Sequence, residues 1–192
     1  DFSLRQFTLF DHGSRKLQAA FSHKILRHMD NSAGIEHFPE RQMDMCRLGI
    51  GLYGVNPRTN TIINNVSTLK TTILQIRNVP AGESVGYSRR TMLTRDSRIA
   101  AIPIGYADGL SRHLGYGNGH VKIAGKLVPI IGSICMDMSF VDITGVPCHE
   151  GDDVILFGPE GMLTEMADAA GTIPYELLTA VSPRVKRLYV SQ

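Results

Sequence analysis

The feature that most constrains the fold is a series of short apolar runs between residues 69 and 158, separated by turn-forming sequences. Runs of this length, bounded by Gly, Pro and Asp, are typical of strands. One turn, Ala124-Gly125-Lys126, lies between two alternating runs and predicts a hairpin. The predicted strands are residues 69–76, 98–104, 120–123, 127–131, 139–143 and 153–157. Six short strands at this close spacing predict a small β-barrel or sandwich.

A helical pattern returns at residues 162–182. Thr164 can cap a first helix, and Gly171 is placed to end it. A second helix is predicted to follow, because Pro174 is tolerated in a first helical turn. Residues 184–190 then predict a last strand.

Residues 1–55 show a different pattern, in which helix and strand alternate. Residues 15–29 predict a helix leading into a short strand, 39–45 a short helix, and 46–55 a buried strand end that runs into a tight loop. Such βα units belong to a parallel sheet or barrel, but two of them cannot close the sheet or bury both of its faces.

The domain organisation expected from these patterns has three parts. Residues 1–55 are the incomplete end of an α/β barrel, 56–68 a polar linker, and 69–192 a β domain. The chain does not begin with Met, which supports the expectation that it is a piece of a longer protein.

Composition excludes several classes of function. With 43% hydrophobic residues the chain can bury a core, and its net charge of +2 argues against a dedicated nucleic-acid binder. No apolar run approaches the roughly 20 residues of a membrane span. The three cysteines include no Cys-x-x-Cys pair, which indicates buried thiols in a reducing cytoplasm. The seven histidines show no metal-ligand spacing, so no metal site is expected.

Two segments of the first part could contact a ligand. Ser32 follows a predicted strand and precedes a helix, where it and nearby N–H groups could hold an anion, although Ser is also a routine helix cap. In the second segment, Gly49 lets the backbone approach a ligand closely. Arg47 is embedded there in apolar sequence and needs a partner, either a ligand or a carboxylate such as Asp44.

Three segments of the β domain are further candidates. Tyr87 and Tyr106 each follow a glycine in a loop, where an aromatic side chain can also simply be a packing lid. Asp137 stands alone in a short apolar stretch, where the alternative is a turn or cap role. Residues 115–119 imitate a phosphate-binding loop, but a strand rather than a helix is predicted to follow them.

Taken in order, these segments resemble one family, alanine racemase, a fold-type III pyridoxal-phosphate enzyme. The resemblance extends from about residue 28 to residue 190. It is carried by Asn-Ser-Ala-Gly at 31–34, Arg-Leu-Gly-Ile at 47–50, Val-Gly-Tyr at 85–87, Pro-Ile-Gly-Tyr-Ala-Asp-Gly at 103–109 and Ile-Cys-Met-Asp at 134–137. It implies a mainly β fold: a barrel-like C-terminal domain preceded by the last βα units of a truncated TIM-type barrel. It also implies a homodimer with sites between the barrel of one subunit and the β domain of the other.

The family chemistry is the interconversion of L-alanine and D-alanine, which supplies D-alanine for peptidoglycan synthesis. Pyridoxal phosphate takes the amino group as an imine and delocalises the carbanion left when the α-proton is removed. Two bases on opposite faces are implied, a lysine that also forms the Schiff base with the cofactor and a tyrosine that Tyr87 matches.

The resemblance assigns the remaining candidates to the cofactor or the substrate. Arg47 matches the arginine that hydrogen-bonds the pyridine nitrogen. Ser32, Gly49 and Ile50 match phosphate-binding positions, the last two through backbone N–H groups. The substrate-binding positions are matched by Tyr106, Met136 and Asp137.

Two positions depart from the family pattern. No lysine lies in a Lys-Ala-Asn-Ala-Tyr-Gly-like segment, so we expect the 192-residue chain alone not to racemise alanine. Pro183 stands where some members carry a tyrosine that reaches the phosphate. Two rival interpretations remain: another fold-type III enzyme, such as a decarboxylase or a broader racemase, and a non-catalytic β-barrel module in which both tyrosines simply pack.

Overall fold

The strand-like runs of the second half form strands in the computed structural model, which describes residues 2–159 and 162–190. The strands are β1 Leu69–Thr72, β2 Gln75–Val79, β3 Ser84–Val85, β4 Thr91–Met92, β5 Ser97–Ile102, β6 His120–Ile123, β7 Lys126–Ile131, β8 Ser139–Asp142 and β9 Asp153–Phe157. Seven of them pair into one antiparallel sheet in the order β1-β9-β6-β7-β8-β5-β2, and β3 pairs with β4 separately. The prediction of a mainly β, barrel-like domain is therefore confirmed.

The two edges of this sheet are joined by a very short stretch of chain. β1 and β2 are the edge strands, yet only Ile73 and Leu74 separate them. The N–H of Ile73 donates to the carbonyl of Asp152 beside one edge, and that of Leu74 donates to Ala101 beside the other. A sheet whose edges lie two residues apart must be rolled rather than flat, which explains its barrel-like form.

Burial alternates along β6, β7 and β8, whereas β5 is buried at nearly every position, and the buried residues form the core of the sheet. Its fully buried members include Val121, Ile123, Val128, Ile130, Val141, Ile143, Val154 and Leu156. The predicted hairpin joins β6 to β7, where Ile123 is paired with Lys126. Both loop residues have positive φ, 48° at Ala124 and 74° at Gly125, as a two-residue hairpin turn of the favoured hand requires.

The helices after the sheet are α3, Leu163–Ala170, and α4, Pro174–Ala180. Gly171 ends α3 in the left-handed conformation, as predicted. The predicted cap at Thr164 is wrong: Met162 is the N-cap residue, and the Thr164 hydroxyl donates to the carbonyl of Asn60.

The predicted strand at residues 184–190 is also absent among the described residues. The chain instead turns back on itself, and Arg187 donates to the carbonyls of Val181, Ser182 and Val185. The Arg187 side chain thus holds the chain at residues 181–185, and no strand of the described part of the chain pairs with residues 184–190.

The described chain divides into two compact units, with the division between Thr59 and Asn60. The first contains α1, Phe2–Ala19, and α2, Ser32–His37, with 3₁₀ turns at Pro39–Arg41 and Ile50–Tyr53. Helix α1 begins well before the predicted start at residue 15, and the predicted helix at 39–45 is only the first of these turns.

The two strands predicted in the first unit reduce to a single parallel bridge between Asn31 and Arg47. Parallel strands are stabilised by neighbours on both sides, and no strand flanks this pair in the described part of the unit. None of the helices within residues 2–159 and 162–190 is long and apolar enough to cross a membrane.

Candidate functional sites

In the first unit, Ser32 and the turn after Arg47 form a small group of hydrogen-bond donors. Ser32 is 7% exposed at the first position of α2, and its Oγ accepts the N–H of Gly49 at 2.8 Å and of Gly51 at 3.5 Å. The hydroxyl proton is left to donate elsewhere, because these bonds use only the oxygen lone pairs. Ile50 opens a 3₁₀ turn, and the first N–H groups of a helical turn have no acceptor within it. The structure thus brings Ser32, Gly49 and Ile50 together, as an anion-binding loop requires.

Arg47 lies beside this group and is held through backbone atoms. Its N–H donates to the carbonyl of Asp30, and its Nη2 donates to the carbonyl of Met29, both at 2.9 Å. The alternative of an ion pair with Asp44 is wrong, because Asp44 is paired with Lys24 at 2.9 Å instead. The other guanidinium N–H groups of Arg47 have no hydrogen-bond partner among residues 2–159 and 162–190, and the residue is exposed.

The structure adds a buried carboxyl that the sequence analysis did not single out. Asp30 is 3% exposed, and its Oδ2 has no hydrogen-bond partner within the described ranges. Burial raises the pKa of Asp30, Glu40 adds to that rise, and the guanidinium of Arg47 opposes it. A Cβ on Gly34 would lie 2.6 Å from Asp30 Oδ1, so α2 packs tightly over this carboxyl.

In the second unit, Tyr87 stands on a turn between β3 and β4. Its side chain is 71% exposed. The preceding Gly86 has φ +82°, and a Cβ there would lie 3.3 Å from the backbone nitrogen of Ser133. The hydroxyl of Ser133 is buried without a partner in the described part of the chain. The loop is therefore seated closely on Gly132 and Ser133, while the tyrosine ring itself projects outward.

Tyr106 and Met136 are brought together by two backbone hydrogen bonds. The N–H of Tyr106 donates to the carbonyl of Cys135, and that of Ala107 donates to the carbonyl of Met136, each at 3.0 Å. The approach is close because residue 105 is glycine: a Cβ there would lie only 2.3 Å from the carbonyl oxygen of Cys135. Tyr106 is 44% exposed and Met136 54% exposed. Neither tyrosine is buried, contrary to a packing-only interpretation.

Beside Tyr106 lies a cavity of about 680 Å³ between the turns of residues 106–114 and helices α3 and α4. Arg112, His113 and Glu176 contribute its charged and titratable lining. No group of three or more His, Cys, Asp or Glu side chains in residues 2–159 and 162–190 could hold a metal ion.

Asp137 is joined to the Tyr106 turn through Arg184, which the sequence analysis missed. Arg184 Nε donates to Asp108 Oδ1 at 2.7 Å, and its Nη2 donates to Asp137 Oδ1 at 2.6 Å. Asp108 Oδ2 accepts the N–H of Gly105. Burial acts to raise the pKa of Asp108, but the hydrogen bonds from Arg184 and Gly105 outweigh it and hold that pKa below its usual range. The two carboxylates raise the pKa of Arg184.

Nothing local in the sequence marks Arg184 as a member of this group. Its carboxylate partners lie 76 and 47 positions away along the chain. The neighbouring Pro183 departs from the family pattern, but that departure concerns a phosphate contact and gives no sign of the Arg184 ion pairs.

Comparison with known proteins covers both units. The model of the alanine racemase N-terminal domain matches residues 1–57, and that of the C-terminal domain matches residues 66–189. Among curated relatives, the alanine racemase of Desulfosudis oleivorans is 37% identical over 194 residues, which is 96% of this chain and 50% of that protein. That of Aeromonas hydrophila is 43% identical, over 85% of this chain and 47% of its own length.

Solved structures show the same similarity. An alanine racemase of Clostridium difficile 630 aligns with a TM-score of 0.88 at 34% identity, over 99% of this chain and 51% of that one. The Bartonella henselae enzyme, with covalently bound pyridoxal phosphate, aligns with a TM-score of 0.84 at 35% identity, over 99% of this chain and 52% of its own.

The chain spans about half the length of the relatives that it matches. The two family matches divide it near the boundary between the structural units. The chain therefore belongs to the alanine racemase family.

Proposed function

We propose that the protein to which this chain belongs interconverts L-alanine and D-alanine with pyridoxal phosphate and so supplies D-alanine for peptidoglycan synthesis. The observation that carries the proposal is the match of both units to the two domains of one enzyme family. Three free cysteines fit a cytoplasmic location, where thiols remain reduced.

The residues of the first unit fit the cofactor. A phosphate dianion needs hydroxyl and N–H donors, and the Ser32 hydroxyl and the Ile50 N–H lie together here. The Gly49 N–H donates to Ser32 Oγ in this structure and would exchange that bond for one to the phosphate. These residues would hold the phosphate, and Arg47 would face the ring nitrogen. When bound, pyridoxal phosphate withdraws electrons from the α-carbon of the amino acid and makes its proton removable.

Arg47 would tune the reaction towards racemisation. A guanidinium has five donors, no acceptor and effectively never loses its proton. Arg47 therefore disfavours a proton on the ring nitrogen and limits the electron withdrawal at that position. The α-carbon is then the favoured place for the proton to return, which suits racemisation better than transamination.

Tyr87 would exchange the α-proton on one face of the substrate. The exposure of its side chain leaves the ring open to a partner surface. Following the family layout, we propose a homodimer in which Tyr87 of one copy serves the cofactor site of the other.

Tyr106 and the backbone at Met136 and Asp137 would lie beside the amino acid. The carbonyl of Met136 is held by the N–H of Ala107, which fixes the orientation of the backbone beside the substrate. The carbonyl of Cys135, which accepts the N–H of Tyr106, orients the peptide bond that carries the Met136 N–H. That N–H could donate to the substrate carboxylate, with Tyr106 as the neighbouring wall.

The test compares two proteins, the product of the complete coding sequence and the 192-residue chain alone. With pyridoxal phosphate, the complete protein is expected to convert L-alanine to D-alanine and back, and a panel of other amino acids would reveal any broader specificity. The chain alone is expected to be inactive, since no lysine lies in the cofactor-binding motif. Failure of the complete protein to racemise alanine would overturn the proposal.

A further inference from the structure

We propose that Arg184 is a positioning residue for the substrate site, because it ties the Tyr106 turn to the Met136–Asp137 loop and offsets the negative charge of both carboxylates. The inference rests on the proposed function, since it assigns a role beside the expected position of the alanine carboxylate.

The Arg184 guanidinium connects two separate loops. One planar guanidinium reaches two carboxylates from different loops, at 2.7 Å to Asp108 and 2.6 Å to Asp137. The Asp108 side chain is only 13% exposed, whereas those of Arg184 and Asp137 are 47% and 57% exposed. Asp108 is thus the anchored end and Asp137 the movable end. A lysine ammonium lacks the rigid fork of donors that spans two such acceptors.

Asp108, the anchored end, is held in place by contacts that do not involve Arg184. The carbonyl of Asp108 accepts the N–H of Ser182, and its side chain accepts the N–H of Gly105. Gly109, at φ +103°, packs so tightly that a Cβ would lie 2.1 Å from the carbonyl oxygen of Ala180. Removing the guanidinium would therefore leave the turn in place and release mainly Asp137.

The charge of Arg184 also acts on the substrate site. Asp108 and Asp137 place two negative charges beside a site that is expected to receive a third, the substrate carboxylate. Like charges at short range oppose one another, and Arg184 lowers the net charge of the group from −2 to −1. Loss of Arg184 should weaken substrate binding more than it slows proton transfer at the α-carbon.

Arg187 supplies a matched control in the same segment. It donates to the carbonyls of Val181, Ser182 and Val185 and forms no ion pair with either carboxylate in the described part of the chain. Arg187→Gln therefore loosens the segment without changing the charge contacts of the site.

The experiment measures KM and kcat for both alanine enantiomers in the complete enzyme and its variants. Arg184→Gln is expected to raise KM about five- to twentyfold, with a smaller change in kcat, since one partly exposed charged hydrogen-bond pair is lost. Arg184→Lys should recover part of that loss. Asp137→Asn in the Arg184→Gln background should lower KM again, because it removes the charge left unbalanced. Arg187→Gln should stay within about twofold of the parent.

Two results would overturn the inference. One is a KM for Arg184→Gln within twofold of the parent enzyme, and the other is an equal rise of KM in Arg187→Gln, which would show a purely structural role. An inactive parent enzyme would be a different failure, that of the proposed function, and would remove the basis of the inference as well.

Discussion

Replacement of Gly105 by alanine should loosen the Tyr106 turn from the loop it rests on. The added Cβ would lie 2.3 Å from the carbonyl oxygen of Cys135 and 2.4 Å from that of Met136. An ordinary carbon–oxygen contact is about 3.3 Å, so the two segments must separate by about 1 Å. Both obstacles are backbone atoms, which no side-chain rotation can relieve. Gly105 has φ −146°, so alanine there suffers no backbone strain and the effect is purely steric.

The separation would break two hydrogen bonds, from Tyr106 to Cys135 and from Ala107 to Met136, each 3.0 Å long. At about 1 kcal/mol each, with about 1–2 kcal/mol for overpacking, the loss of stability is about 3–4 kcal/mol. Urea unfolding of the second unit, followed by circular dichroism, should show a midpoint lowered by about 1–2 M. Amide hydrogen exchange at Tyr106 and Ala107 should accelerate.

Gly145→Asn serves as the control in the same unit. A Cβ at Gly145 meets no atom within 4 Å, and its φ of +74° is one that Asn tolerates. This variant should lose less than about 1 kcal/mol. The steric argument fails if Gly105→Ala unfolds at the same urea concentration as the control, with unchanged exchange at the two amides.

Three further predictions concern single side chains. Tyr87→Phe in the complete enzyme should greatly slow exchange of the α-proton on one face while leaving the cofactor bound, because it removes only the hydroxyl group of an exposed ring. Equal rates of α-deuterium loss from both alanine enantiomers, unchanged from the parent, would contradict the assignment. Ser32→Ala should weaken cofactor binding about tenfold in a spectroscopic titration, since it removes one hydroxyl donor and the acceptor of the Gly49 N–H; an unchanged affinity would exclude Ser32 from the phosphate site. Asp30→Asn should stabilise the first unit at neutral pH. Folding raises the pKa of Asp30, so the ionised carboxyl destabilises the folded state as pH rises above its unfolded pKa of about 3.8. The thermal midpoints of the parent and the variant should therefore become equal below that pH. Midpoints that still differ below that pH would refute the explanation from burial.

The strands were the part of the fold that local patterns predicted best. β6 and β9 occupy the predicted residues, and the hairpin at Ala124-Gly125 forms where expected. The alternation of apolar and polar residues is visible within a few consecutive positions, so a strand can be predicted from it without knowing which strands lie beside it. The start of α1 was missed because Phe7 is its only buried residue, which leaves little periodic signal.

The strands of the first unit were overpredicted for the opposite reason. An apolar run such as residues 46–55 has a strand-like composition, but the ladder depends on partners elsewhere in the fold. Here only the bridge from Asn31 to Arg47 forms, and Ile50–Tyr53 becomes a 3₁₀ turn.

The class of the second domain, the candidate residues and the family could all be inferred from the sequence, because strand alternation and short motifs occupy consecutive positions. Three features could be seen only in the folded chain: the sheet is rolled through Ile73 and Leu74, Asp30 is buried, and Arg184 joins Asp108 to Asp137. Such contacts arise when chain segments far apart in sequence are packed together, and their energy depends on distance and burial that no local pattern specifies.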